Sequence, residues 1–262
     1  MAEIDLGRVV GLQRPSGARE NLLDNWYFSG GGSQQDSGQF PINQRGQVSY
    51  SNVGYTIDRW KLLNGSALLT ASGLVLNGTM IQIRESTIGL PVTCSALLSD
   101  GSMITPTYDD TIRTFTLTAT GQTIKAVKLE PGAEQTLAHQ ENGVWVLNEL
   151  PNYSEELAKC KRFYQTFLQN GIYAGFNRDN NALWFNIPLP VQMRSTPTVS
   201  LQTGSFFVTT WSNIFEVTNP TITAVYNLDN TINIMLQHNI GEIAAFTSVN
   251  VLIPGLSASA DL

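Results

Sequence analysis

Acid–base or nucleophilic chemistry in this 262-residue chain has to run through His139 or His238, its two histidines. A Ser-His-Asp or Cys-His site needs one of them, held by a third group and facing a nucleophile. His139 lies in the polar stretch "TLAHQENG". His238 closes "TINIMLQH" on the apolar side of an alternating run, where an interior, hydrogen-bonded histidine is expected. Gly-x-Ser-x-Gly, His-Glu-x-x-His and Cys-x-x-Cys are absent from the sequence, which removes the common hydrolase and zinc signatures. Cys94 ("PVTCSALL") and Cys160 ("ELAKCKRF") sit among apolar residues and read as buried free thiols, not as a disulfide framework.

Glycoside hydrolysis needs two carboxylates about 5–10 Å apart. The candidate pairs are Asp109 with Asp110, Glu155 with Glu156, and Glu141 with Glu149. Neighbours on a strand point to opposite faces, and Asp109-Asp110 sits in a turn-like "TYDD". Glu155 and Glu156 have a helix-start role, and Glu141 and Glu149 stand roughly 25 Å apart if the run between them is one strand. Each pair reads as structural.

Binding is the chemistry that survives. Exposed aromatic faces flanked by amides and hydroxyls can grip a ligand, and aromatic residues beside turns are the candidates. Trp211 in "TTWSN" is the first choice, because Thr, Ser and Asn flank it and no apolar run contains it. Tyr173 in "GIYAG", Trp145 in "NGVWVL" and Tyr226 before "NLDN" follow, and each also suits the core or a subunit interface.

The elements that must position these residues are strands. Charged residues are 14% and hydrophobic ones 42%, so a core can form under a surface of neutral polar side chains. Net charge is −6, and the sequence has no Lys/Arg cluster of the kind that nucleic acid requires beyond Lys159 to Arg162, which reads as a solvated helix face. There is no apolar run long enough to span a membrane, and "MAEIDLGRVVGLQRPSGARE" lacks the apolar stretch of a secretory signal.

Residues 1–20 read as a lead-in, and Gly30–Gly38 as a flexible loop. Residues 21–150 carry short segments at sheet-like spacing, such as "QVSYS", "ALLTASGLVL" and "TIRTFTLTA". In the last, Phe115, Leu117 and Ala119 face one way and Thr114, Thr116 and Thr118 the other, the period of a half-buried strand. A helix is expected over about 153–166, N-capped by Asn152 with Glu155 three residues on, inside a connector spanning 151–170. Residues 171–262 form a second β region with a hairpin turn at Asn227–Asn230. The fold class is therefore all-β: two antiparallel β-sandwich domains, jelly-roll-like, joined by one short helix.

Four stretches, in order, resemble tail-fibre and receptor-binding proteins of bacteriophages and prophages. "NLLDNWYF…PINQRGQ…YTIDRW" resembles the opening of a domain recurrent in them. "AVKLEPGAEQTL" with "YSEELAKCKRFYQ" is similar to the close of that domain and the start of the next. "IPLPVQMRSTPTV" (Ile187–Val199) resembles part of their C-terminal head, and "IDLGRVVGLQRPSG" the segment that precedes their Gly-Pro-rich shaft, which this chain lacks.

The resemblance implies a carbohydrate-binding-module-like jelly roll and a β-rich head. It further implies a homotrimer at a virion tail tip that attaches to bacterial surface polysaccharide and contacts other tail or baseplate proteins through the N-terminal segment. Such a protein is made in the host cytoplasm. The jelly-roll modules it resembles often hold a structural calcium, for which Asp24, Asp58 and Glu130 are the candidate ligands. No other cofactor is expected. A polysaccharide depolymerase with a site between chains and a purely structural tail decoration are the alternatives. Within the first motif, "NQRG" reads as a turn setting strand register, Asp58-Arg59 as ion-pairing residues, and Trp60 as a core tryptophan.

Overall fold

The computed structural model describes residues 19–30, 38–167, 171–179, 181–202, 204–228, 230–238, 243 and 247–262. Most of the lead-in and most of the Gly30–Gly38 stretch lie outside these residues. The chain divides into two units, one through Glu156 and one from Leu157 onward. All strand pairing is antiparallel, in curled sheets that form sandwich-like half-barrels, as the all-β reading requires.

The first unit contains β1 (Ser49–Tyr50), β2 (Gly54–Tyr55), β3 (Lys61–Thr70), β4 (Gly73–Ile83), β5 (Val92–Leu98), β6 (Met103–Ile104), β7 (Thr107–Asp109), β8 (Thr114–Pro131), β9 (Ala138–Glu141) and β10 (Val144–Leu147). Its main sheet runs β1-β3-β4-β8-β5-β6, with β2 on β3 and β7 on β8, while β9 and β10 form a separate hairpin. The 18-residue β8 runs on well past the Ala119 end of "TIRTFTLTA", pairing β4 along its first half and β5 along its second. Phe115, Leu117 and Ala119 point into the core as alternation predicts.

Trp60 is fully buried between Phe28 and Phe115, at 5.4 and 6.0 Å in edge-on geometry, and its indole donates to the Asn25 carbonyl at 3.0 Å. The turn at Asn43–Gly46 closes with Gly46 N donating to the Asn43 carbonyl at 3.1 Å. The Tyr50 hydroxyl of β1 then donates to the Asn43 side-chain oxygen at 3.1 Å or to the Gln47 carbonyl at 2.6 Å, which ties the turn to the first strand.

At the middle of the β3–β4 hairpin, Gly65 and Gly78 face each other at φ 80 and 142. A Cβ on Gly65 would stand 1.9 Å from the Asn77 carbonyl oxygen, so the two strands can approach this closely only with glycine at both positions.

The second unit opens within α1 (Tyr153–Lys161) and contains β11 (Tyr164–Phe167), β12 (Gly171–Asp179), β13 (Ala182–Pro188), β14 (Thr198–Leu201), β15 (Phe206–Thr209), β16 (Ile214–Val217), β17 (Thr221–Leu228), β18 (Thr231–Gln237), β19 (Ser248–Ile253) and β20 (Leu256–Ser259). A sheet of order β16-β15-β19-β12-β13-β18-β17 and a three-stranded sheet β11-β20-β14 share one core. Alternation holds in β18, where Ile232, Ile234 and Leu236 are buried and His238 follows them inward. Leu228 pairs with Thr231 and Asn230 adopts φ 60, the left-handed geometry of a tight hairpin turn.

The helix is shorter than its sequence pattern. Asn152 caps it, its side-chain oxygen accepting from Ser154 N at 2.9 Å. It stops at Lys161, and Tyr164–Phe167 becomes a strand paired with Leu256–Ser259. Phe163 is buried, its carbonyl accepts from Ala260 N at 2.6 Å, and the buried Gln165 side chain donates to the Lys161 and Val191 carbonyls. Sheet pairing and burial in the second core override the local helical spacing.

Candidate functional site

The β15–β16 hairpin forms one edge of the seven-stranded sheet. Phe206, Val208 and Val217 bury its inner side in the core, which fixes the direction of its tip. The tip is closed by Thr210 N donating to the Asn213 carbonyl at 2.9 Å and Asn213 N to the Thr210 hydroxyl at 3.2 Å. Trp211 stands on this turn with a relative exposure of 104%, beside exposed Ser212 and Asn213 and with Ile214 exposed by 74%. An indole held fully in water on a braced turn, with hydroxyl and amide groups around it, offers a flat apolar face with polar flanks.

The other candidate aromatic residues do not join it. Tyr173 lies on the inner side of β12, half-buried, 6.2 Å from the Phe185 ring. Its ring lies over Gly171, where a Cβ would come within 2.7 Å of it, and burial pushes its phenol pKa up. It packs as a core residue. Trp145 belongs to the first unit, in β10 opposite Gln140, and rests half-buried on that core. Tyr226 lies in β17 opposite Asn233, at the far end of the strand order from β16, and its side chain is outside the described set. Alternation would have singled out a different pair: Phe176 and Trp184, opposite each other on β12 and β13, share the outer face of the sheet, whereas Phe185 and Leu183 point inward.

The three carboxylates expected to hold calcium are not brought together. Asp24 pairs with Arg59 at 2.9 Å. Asp58, fully buried, pairs with Arg45 at 2.9 Å and accepts from the Gln44 side chain at 2.9 Å. Glu130, also fully buried, accepts from Thr136 N and from the Thr136 hydroxyl, with the Lys128 ammonium at 3.7 Å. Among the described residues no group of three His, Cys, Asp or Glu side chains is placed to hold a metal ion. Buried carboxylates must be neutralised, and here guanidinium, ammonium and backbone N–H groups do it.

Five of the six carboxylates weighed for hydrolysis are likewise engaged. Asp110 accepts from the backbone N–H groups of Ile88 (2.6 Å) and Gly89 (2.9 Å), which lower its pKa, while Asp109 accepts from Thr111 N at 2.8 Å. Glu156 is buried and accepts from Asn25 N at 2.7 Å. Glu149 meets Lys128 at 3.3 Å, and Glu141 bonds His139 Nε2 at 2.8 Å.

The Glu141 bond, with one to Asn148, raises the pKa of exposed His139. His238 is buried and bonds Asn177 at 2.9 Å, and its pKa is lowered by burial, with Asp179 opposing. Cys160 is buried, and burial pushes the half-buried Cys94 thiol up to about 11. No helix among the described residues is long and apolar enough to cross a membrane.

The chain matches no protein family, no curated protein and no solved structure.

Proposed function

We propose that this chain is a non-catalytic receptor-binding protein of a phage or prophage tail, which attaches the particle to bacterial surface polysaccharide as a homotrimer. The observation that carries the reading is Trp211, an indole exposed by 104% on a hydrogen-bonded turn whose neighbours are uncharged hydrogen-bonding residues. The sandwich-like all-β architecture and the four stretches resembling tail-fibre proteins support it. Pyranose rings present an apolar C–H face rimmed by hydroxyls, and the turn offers the complementary arrangement. One such contact is weak, and several copies acting together supply avidity.

Trp211→Ala tests the reading by retention of the purified protein on bacterial cells and on their extracted polysaccharide. Removing a central aromatic contact of about 2 kcal/mol weakens each site about thirty-fold. Retention is expected to fall to background with unchanged mass and melting temperature. Full retention by the variant would overturn the assignment.

A further inference from the structure

The base of the same hairpin opens onto a cleft of about 380 Å³. Its walls come from the loops after β14, β16 and β19, and its lining includes Gln202, Glu216, Thr218, Asn219, Pro220 and Pro254. Two glycines let these loops meet. A Cβ on Gly204 would stand 2.5 Å from Pro254, and one on Gly255 would stand 2.5 Å from the Gln202 side-chain oxygen. Asn219 sits at φ 53, directly before Pro220, which turns that wall of the cleft. The volume lies at the small end of the range of about 300–1,000 Å³ typical of small-molecule sites.

We propose that this cleft is a saccharide subsite selective for amine-bearing sugars and closed to acidic ones; the inference rests on the glycan-binding reading above. Two proline rings supply apolar surface for the C–H face of a pyranose. The amides of Gln202 and Asn219 supply donors and acceptors for its hydroxyl rim. Among the described residues, Glu216 is the charged residue of the lining, exposed and unaccompanied there by any lysine or arginine. A uronate or phosphate would meet a like charge, whereas the ammonium of a hexosamine would form a charge-assisted hydrogen bond. Trp211 is five residues along the chain from Phe206 at the cleft, a span of roughly 17 Å in extended strand. An oligosaccharide is therefore needed to touch both places.

Calorimetric titration of the full chain with four probes tests this: a glucosamine trimer, its N-acetylated counterpart, trigalacturonate and trilysine. The glucosamine trimer is expected to bind tightest, and Glu216→Gln to weaken it about ten-fold, the effect of losing one charge-assisted bond. Glu216 is exposed, so the variant keeps the fold, and Glu216→Lys is expected to reverse the preference toward trigalacturonate. Equal binding of trigalacturonate, indifference to Glu216→Gln, or no binding of any saccharide overturns the cleft assignment. Trilysine binding as tightly as the glucosamine trimer overturns the saccharide class. If Trp211-dependent retention on cells persists while the titrations ignore Glu216, the cleft fails and the receptor reading stands. Glu216-dependent binding of the glucosamine trimer, together with wild-type protein that cells do not retain, reverses those fates.

Discussion

Asn25 shows how one residue can organise a region without any motif to announce it. At φ 50 its side chain donates to the Ile42 and Asp58 carbonyls at 2.8 and 2.9 Å and accepts from Ile42 N at 2.8 Å. Its own N–H meets Glu156, and its carbonyl receives the Trp60 indole. Every buried polar group here needs a partner, and Asn25 supplies five such contacts across distant parts of the chain. His238 is the corresponding interior residue of the second unit, and it makes a pH prediction. Its folded pKa is depressed by burial, so the folded state prefers the neutral ring. Its contribution is fully present above the unfolded value of about 6.5 and is lost as pH falls through the folded pKa. Exposed His139 acts in the opposite sense, because its raised pKa adds stability on acidification. Comparing wild type with His238→Gln cancels the His139 contribution. Denaturant midpoints at pH 7.5 and 5.5 are expected to fall more for the wild type; parallel midpoints would remove His238 as an acid-sensitive group.

Among the elements, α1 shows where local signals suffice and where they fail. Its start was legible, because Asn152 has the short polar side chain that caps exposed N–H groups, and Ser154 N and Glu155 N both bond it. Asn152→Ala is expected to cost about 1 kcal/mol, read as a lower denaturant midpoint with native far-ultraviolet dichroism at low denaturant; an unchanged midpoint would show that tertiary contacts alone hold the first turn. The end was not legible, because no glycine or proline follows Lys161 and the stop is imposed by pairing with Leu256–Ser259, about 90 residues away in sequence. Strands that alternate against one core, such as Phe115 to Ala119 and Ile232 to Leu236, were readable from period two alone. "ALLTASGLVL", read as one segment at sheet-like spacing, is instead the two facing ends of β3 and β4, and the "YTIDRW" stretch carries a turn with Arg59 at φ 74 just before β3. The candidate site divides the same way. Polar flanks marked Trp211 as exposed, but Gln202, Glu216 and Asn219 come together only through strand β16 and the loops after β14 and β16, which no spacing in the sequence encodes.

For the whole molecule, the question is what covers the outer face of the second unit. Ile172 is exposed by 70% and Phe176 by 45% on β12, and Phe176 lies opposite Trp184 of β13. Exposed large apolar side chains on one face mark a contact surface, and β16 and β17 are the edge strands of the same sheet, each separated from β12 by two strands. Closed symmetry, as the proposed homotrimer requires, would cover both features with copies of the same chain, and a net charge of −6 is small enough not to oppose it strongly at physiological salt. Light scattering after gel filtration is expected to give three times the 28.7 kDa of one chain. Phe176→Glu, a change on an exposed position, is expected to reduce the mass to that of one chain while each copy keeps its fold. The functional consequence is separable from the structural one. Three linked sites raise apparent affinity by about two to four orders of magnitude when geometry lets them engage together, so the dissociated variant should bind short saccharides as the wild type does yet wash off cells. A wild-type chain that runs as a monomer would remove the avidity on which attachment through a weak, exposed indole depends.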